Sequence, residues 1–405
     1  MADGMTSSKL RVLIIGAGSA GLLMAHVGID ATVFEQDGSP TARPRDWNFG
    51  IYWAQSRLEE ILPPAIRSLL DTAQTDPSHK RSPHSTLPIL KGTTGEVLKN
   101  LEAPFSIRLR RRAWLDLIRR DIDARFSKRL ASVLTSGDEV TATFTDGTTE
   151  HANLLIGAEG AHSIARDFLF RSSPQDAVLL KSPVVASIAI AKFDREIALA
   201  LRKVHPTYHM TFEPEGRFTW ASTHDCTASD PADWTFLIMM TWHSEDDTGL
   251  DSDDTILDDL YKRAEGLAYP FKESFTSIPR GTKFWHARLT YWPTKPWDGG
   301  GLVTLAGDAA HAMTFHRGQG LGNAITDAAE LQTRLKAMKS QTPEELKKAV
   351  LAYEKEMWPR GLEAVMGNLE NTLAVHNWDV MAKSPIFVGG VWREGDKVRV
   401  SDQAD

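Results

Sequence analysis

The sequence predicts an α/β fold: a parallel sheet with covering helices, interrupted by a β-rich (α+β) insertion, then resumed and closed by C-terminal helices. Two observations predict it. Glycine-rich turns at Gly16-Ala17-Gly18-Ser19-Ala20-Gly21, Gly157-Ala158-Glu159-Gly160 and Gly307-Asp308-Ala309-Ala310-His311 each follow a short apolar run of buried-strand type. Between the second and third turns, from about 171 to 298, strand-like segments rich in aromatics and histidines take over.

The elements follow in order. Leu10 to Ile15 reads as a buried strand and Leu22 to Ala25 as the helix after the first turn. Gly16 permits the tight turn, Gly18 lets the backbone approach a pyrophosphate, and Gly21 lets helix and strand pack closely, with Ser19 and Ala20 opening the helix. A second strand, Ala31 to Phe34, ends in Glu35 beside Gln36. A carboxylate there accepts from a ribose 2′-hydroxyl and repels a 2′-phosphate. This unit is Rossmann-like. Only 14 positions separate Gly21 from Glu35, which predicts a short helix or a tight return loop over 27–30.

Residues 40–50 read as a basic loop, 55–62 and 65–71 as short helices split by Pro63-Pro64, and 71–86 as loop. A hairpin is expected over 87–98, turning near Gly92 to Gly95, followed by a helix from Ala113 to Ala124. Val140, Ala142 and Phe144 alternate toward an Asp146-Gly147 turn, and Asn153 to Ile156 is a buried strand. Strands are expected over 184–192, 208–213, 217–221 and 234–243, and an amphipathic helix over 253–266. Gly301 to Ala306 returns as a buried strand, with helices over 320–337 and 343–373.

Composition narrows the function. With 405 residues, 24% charged and 42% hydrophobic, the chain is long enough for more than one domain around a sizeable core. A net charge of -7 argues against nucleic acid as the main partner, despite the local basic run of Arg108, Arg110, Arg111 and Arg112. The single cysteine, Cys226, excludes internal disulfides and cysteine-based zinc sites and reads as a packing residue. His205 and His209 flank Pro206 in a strand-like region, a poor helical ligand pair, so no metal is expected. No signal core or membrane-spanning stretch is visible, and a cytoplasmic location is the expectation.

Taken as a set, the glycine turns and the late segment LAGDAAHAMTFHRGQGLGNAITDA resemble the class A, single-component flavoprotein monooxygenases of the para-hydroxybenzoate hydroxylase-like group. The resemblance is strongest to fungal members attached to secondary metabolism, and it covers roughly residues 9–375. It implies an FAD-binding domain in two parts, 9–170 and 299–340, a β-rich substrate-binding domain over 171–298, and a C-terminal helix and tail over 341–405. The family's middle motif stands here as Glu159-Gly160-Ala161-His162-Ser163-Ile164-Ala165-Arg166, with Glu159 replacing the usual Asp. The resemblance implies FAD contacts from Glu159 and Gly160, with Arg166 on phosphate or holding the loop. It implies ribityl contacts from Asp308, and a helix N-terminus at Gly318, Gly320, Leu321 and Gly322 that faces the flavin ring. Arg112, with Arg110 or Arg111 as alternatives, is expected at the FAD phosphate or ribityl region. Arg45, in preference to Arg43, is expected near the adenine-side phosphate or the flavin. His311 is expected to be a packed histidine rather than a proton shuttle.

The implied reaction uses NADPH or NADH and O2, proceeds through a flavin C4a-hydroperoxide, and hydroxylates, epoxidises or oxidatively rearranges an aromatic or polycyclic small molecule. A phenolic substrate needs a proton acceptor, for which His209, Tyr208, His243 and His316 are candidates, with Arg45 also in reach. Alternatives on the same fold are a flavin oxidase or dehydrogenase, or a non-redox descendant that uses the pocket for binding or cyclisation. The sequence does not decide oligomeric state.

Overall fold

The computed structural model describes residues 10–43 and 46–392. Five parallel strands form the nucleotide-binding sheet, in the order Val303–Leu305, Leu154–Gly157, Arg11–Ile15, Asp30–Phe34, Ala124–Arg125. Its central strands are hydrophobic on both faces, as burial under helices requires: Val12, Leu13, Ile14, Leu154, Leu155 and Ile156 are all inaccessible. Each glycine turn leaves the C-terminal end of one of these strands, so three segments far apart in sequence meet at one edge.

The first helix, Ser19–Ala25, is indeed short, and Gly28 at φ +90° turns the chain back into the second strand. Short as it is, it buries Gly21, Leu22, Leu23 and Met24. Its end is tied down where the His26 ring Nε2 lies 2.7 Å from the Ile118 carbonyl.

A second sheet has seven strands, in the order Phe284–Tyr291, Leu180–Lys192, Thr235–His243, Arg217–Asp225, Tyr208–Phe212, Thr86–Lys91, Val97–Glu102. The hairpin over 86–102, assigned by sequence to the first FAD-binding segment, is thus hydrogen-bonded into the insertion's sheet, with Met210 paired to Ile89 in parallel. Leu87, Ile89 and Leu101 are buried there, within the main core. The helix expected to reach Ala124 stops at Ile118. Asp121 takes a left-handed conformation at φ 62°, which aspartate tolerates, and Ala124–Arg125 then extends the parallel sheet beside Phe34. A three-stranded antiparallel sheet (Leu130–Ser136, Glu139–Phe144, Thr149–Ala152) and a ribbon pairing Asn48–Ile51 with Ile107–Arg110 complete the strands discussed. The ribbon lies between the two large sheets: Ile51 and Leu109 join the main core, and Asn48 bonds to Thr223 of the second sheet.

Helices Gly320–Lys336 and Pro343–Val375 cover the parallel sheet. The second runs through Pro359, which lacks an N–H to donate. After it, the Trp392 indole donates to the Glu102 carbonyl at 3.0 Å, while its own carbonyl accepts from Arg317 at 3.1 Å and Gln319 at 3.3 Å. Among the described residues, no helix is long and apolar enough to cross a membrane.

Candidate functional site

The glycines of the first turn do different jobs. A Cβ on Gly16, at φ +105°, would stand 2.4 Å from the Ala158 carbonyl oxygen, so this glycine lets the first and second turns touch. A Cβ on Gly21 would lie 1.9 Å from the Gly16 carbonyl oxygen, so this one lets the helix close on the turn. Around Gly18 a Cβ would meet nothing within 4 Å, so its outer side is open. The third turn joins at Gly307, whose Cβ would lie 2.5 Å from that of Ala20. Glu35 accepts from the Ala17 N–H at 2.8 Å and the Asp37 N–H at 3.0 Å, and Arg43 stands 4.0 Å away. It ties the second strand to the turn and remains partly exposed, with Gln36 exposed beside it. Ser19 turns its hydroxyl inward to accept from the Trp114 indole at 3.0 Å.

Glu159 points back into the protein. Ser163 donates to its Oε2 at 2.8 Å and the Ala165 N–H to its Oε1 at 3.0 Å, so it caps the helix Ile164–Leu169. Burial raises this carboxyl above the ordinary range. Arg166, 2% exposed, is the loop staple rather than a phosphate fork. It donates to the carbonyls of Ala177 at 3.0 Å and Ala309 at 3.1 Å, and to that of Ala161, and it lies over the Trp292 ring. Gly160, at φ +87°, has open space around it.

Asp308 is exposed, yet desolvation by surrounding protein, aided by Asp327, pushes its carboxyl above the usual range. Exposed yet desolvated, the side chain lines a cleft. A Cβ on Gly320 would lie 3.9 Å from Asp308 Oδ1, which brings the third turn and the start of helix Gly320–Lys336 together. Gly318 packs against the Tyr52 ring and Gly322 against the Trp53 ring, with Leu321 half-buried between them. His311 is fully buried, its Nε2 2.8 Å from Asp327 Oδ2. Asp327 also accepts from the Gly307 N–H at 2.8 Å and from Arg360 at 2.9 Å. Burial alone would raise Asp327; His311 and Arg360 hold it at about 2. Sequence reasoning gave Asp327 and Arg360 no role: Asp327 stands in the late segment, but its contacts with His311 and Arg360 are set by helix packing.

The basic run divides. Arg110 pairs with Asp225 at 2.6 Å, Arg111 lies over the Trp47 ring, and Arg112 donates to the Arg43 carbonyl at 2.7 Å with Asp46 at 3.9 Å. Arg43 itself is paired with Asp37. Arg45 lies outside the described residues. Arg108, not singled out by sequence, is 4% exposed and turned inward.

The candidate proton acceptors scatter. Tyr208 faces the ribbon, with the Arg108 guanidinium 4.6 Å from its ring. His209, the next residue on the strand, therefore points to the opposite face, against Phe271 at 5.2 Å. Burial, with the nearby His205, takes its ring down to about 3. His209 is thus a core residue on the far side of the sheet from Tyr208. His316 is buried between the hydroxyls of Thr241 at 3.0 Å and Thr372 at 2.8 Å, and burial holds it well below its ordinary value. His376, missed by sequence, shares Thr241 at 2.8 Å, and His243 stacks edge-on to it at 5.7 Å. This cluster knits the second sheet to the loop before Gly318. His205 bonds to the Thr86 carbonyl and the Tyr208 N–H, so it does not pair with His209 for a metal. Among the described residues no group of potential metal ligands gathers. Burial pushes the Cys226 thiol up to about 11, as suits a packing residue.

The arrangement fits FAD. An open-sided turn at Gly18, a carboxylate at the second strand's end and a cleft-lining carboxylate at Asp308 lie along one joined edge, where a long dinucleotide with a polyol chain has partners for each part.

Comparison with known proteins agrees. The family described as FAD binding domain matches residues 116–367. The chain is similar to the FAD-dependent monooxygenase cctM of Talaromyces islandicus, 49% identical over 386 residues, 94% of this chain and 96% of that protein. It is also similar to the FAD-dependent monooxygenase phnB of Penicillium herquei, at 32% identity over 95% of this chain and 96% of that one. Among solved structures, Klebsiella pneumoniae HpxO complexed with FAD and uric acid superposes with a TM-score of 0.72 at 20% identity, covering 97% of this chain and 95% of that chain, a likeness of fold.

Proposed function

Because the chain belongs to the FAD-dependent monooxygenases, an FAD-binding family, we propose that it inserts one oxygen atom of O2 into an aromatic or polycyclic small molecule. In the simplest case, hydroxylation, a substrate C–H, O2, NADPH or NADH and a proton become C–OH, water and oxidised nicotinamide. The observation that supports the site assignment is the meeting of three distant glycine turns: Gly16 against Ala158, and Gly307 against Ala20, with Asp308 lining the cleft between.

Bound FAD supplies the redox and oxygen-activating chemistry. The chain's own residues do the rest. Glu35 and Asp308 would accept hydrogen bonds from the ribose and ribityl hydroxyls, and the open face at Gly18 would admit the pyrophosphate. The start of helix Gly320–Lys336 presents N–H groups and a positive dipole end to the flavin ring. Tyr52 and Trp53, packed on Gly318 and Gly322, would wall the ring side and help exclude water. Secondary metabolism is the setting the fungal relatives favour, and the cytoplasm is the location we infer.

The test is a pair of measurements. The purified protein should carry a two-band flavin spectrum through desalting. With a panel of fungal aromatic polyketides, isotope from labelled O2 should then enter a product as NADPH is consumed. Stoichiometric peroxide with no labelled product, across substrates that accelerate NADPH oxidation, would favour the oxidase alternative.

A further inference from the structure

The long helix Pro343–Val375 buries one face in the core and turns the other outward. Its exposed positions fall on one line: Lys348, Ala352, Lys355, Pro359, Glu363, Met366 and Glu370 recur at steps of three and four, the stripe of a 3.6-residue helix. Beside that line stand Leu351, Leu362 and Leu373, which are 46%, 41% and 37% exposed, each about three turns from the next, and Met366 within the line is 44% exposed. Large apolar side chains left in water in a row, rather than singly, mark a surface that a partner covers.

The charges on the face identify that partner. Along the line the basic residues precede Pro359 and the acidic ones follow it. Their placement is symmetric: Lys355 and Glu363 stand four residues before and after Pro359, and Lys348 and Glu370 stand eleven. Lys355, Glu363 and Glu370 make no ion pair among the described residues, although the two glutamates lie in the field of half-buried Arg317. Lys348 pairs with Glu345 of its own helix at 2.8 Å, on the exposed surface.

A copy of the helix laid antiparallel across Pro359 brings positions equally far before and after that residue face to face. Lys355 then meets Glu363 and Lys348 meets Glu370, each pair occurring twice by symmetry, while Ala352 meets Met366, small against large. The same operation keeps each flank on its own side of the seam, so the leucine rows of the two copies meet and interleave. A parallel pairing would set lysine on lysine and glutamate on glutamate. An anionic membrane would attract the basic half of the face and repel the acidic half.

We propose that the outward face of helix Pro343–Val375 is the interface of a homodimer, covered by a second copy of this chain packed antiparallel across Pro359. A single helix face is small for a specific interface, so the dimer is reversible. None of these residues is assigned to the cofactor, and the inference stands apart from the monooxygenase reading.

The test is sedimentation velocity of the FAD-loaded protein over roughly 1–200 µM, the range in which weak complexes dissociate. The expected result is a shift with concentration from the 44.9 kDa chain to a species of twice that mass. Lys355→Glu and Glu363→Lys each set like charges face to face, and each should weaken association at least about tenfold. Mixing the two variants, or combining both changes in one chain, should restore association, because lysine again faces glutamate. Leu362→Glu should leave a monomer, and Leu362→Gln serves where that variant does not fold. Retained flavin absorbance reports the folding of each. A monomer at every concentration would overturn the proposal. So would a dimer that none of these variants weakens, or charge reversals that fail to rescue each other. A monomer that co-sediments with phosphatidylserine vesicles, and loses this at Leu362→Glu, would make a membrane the occupant and overturn it equally.

Discussion

Asp308 and Asp327 show how one residue type is put to opposite uses. Asp327 sits in a closed set of donors from Gly307, His311 and Arg360, which holds it ionised and locks the third turn onto two helices. Asp308 lines the cleft, and desolvation raises its carboxyl, so a ligand that brings hydroxyl donors gains by satisfying it. Asp308→Ala should therefore leave the apoprotein's thermal midpoint nearly unchanged while weakening FAD roughly 10–100-fold, the worth of hydrogen bonds to a charged group; flavin fluorescence titration reads this directly. Asp327→Asn should cost about 3 kcal/mol in chemical denaturation, because it strips charge from a buried cluster that includes Arg360. A variant as stable as wild type would remove Asp327 from its structural role. Asp308 was singled out in the sequence through the family resemblance of the segment around it. Asp327 was not, since its partners are set by helix packing. Arg108 was visible only as part of a basic run; which of those arginines turns inward depends on the ribbon's pairing with Asn48 to Ile51, a long-range fact.

At the scale of elements, the first turn separates folding from binding within a few residues. Gly21→Ala would drive a methyl to 1.9 Å from a backbone oxygen, and the expected cost is about 3 kcal/mol or more, the upper range of overpacking. Gly18→Ala, at φ -76° and with open space around it, should leave apoprotein stability within about 0.5 kcal/mol of wild type, as harmless surface changes do. It should nonetheless weaken FAD about tenfold or more, because the methyl stands where the backbone approaches pyrophosphate. Thermal unfolding with and without added FAD checks both variants. Equal loss of stability in the two apoproteins would refute the division of labour. The strands and helices bordering these glycines were readable from local pattern. The hairpin's membership in the second sheet was not, because alternation in 86–102 says that one face is buried but not against which neighbour.

Across the whole molecule, buried histidines make the fold sensitive to acid. His205 and His376 are held at about 4 and His209 at about 3, each mainly by desolvation, against an ordinary value of 6.5. Each is neutral when folded and takes up a proton on unfolding below about pH 6.5. The stability they contribute is therefore complete above that pH and is lost as pH falls toward their folded values. Glu213 and Glu354, raised by burial to about 7, act in the opposite sense: their contribution is present below the ordinary carboxylate range and is lost as pH rises through 7. A difference measurement isolates one histidine. Between pH 6.5 and 4.5 the wild type should lose roughly 2–3 kcal/mol more stability than His209→Gln, at about 1.4 kcal/mol per pH unit. Parallel denaturation curves for the two proteins across that window would sink the assignment.

The parallel sheet also has a history in time. Its strands Arg11–Ile15, Leu154–Gly157 and Val303–Leu305 are neighbours in space but leave the ribosome far apart. At ~5–20 residues per second, the edge of Leu154–Gly157 waits roughly 10–30 seconds during synthesis for the strand that will cover it. Through that interval the nascent chain carries an unpaired, wholly apolar edge. Yield in a foreign host is therefore governed by translation speed and chaperone supply as much as by the stability of the finished enzyme.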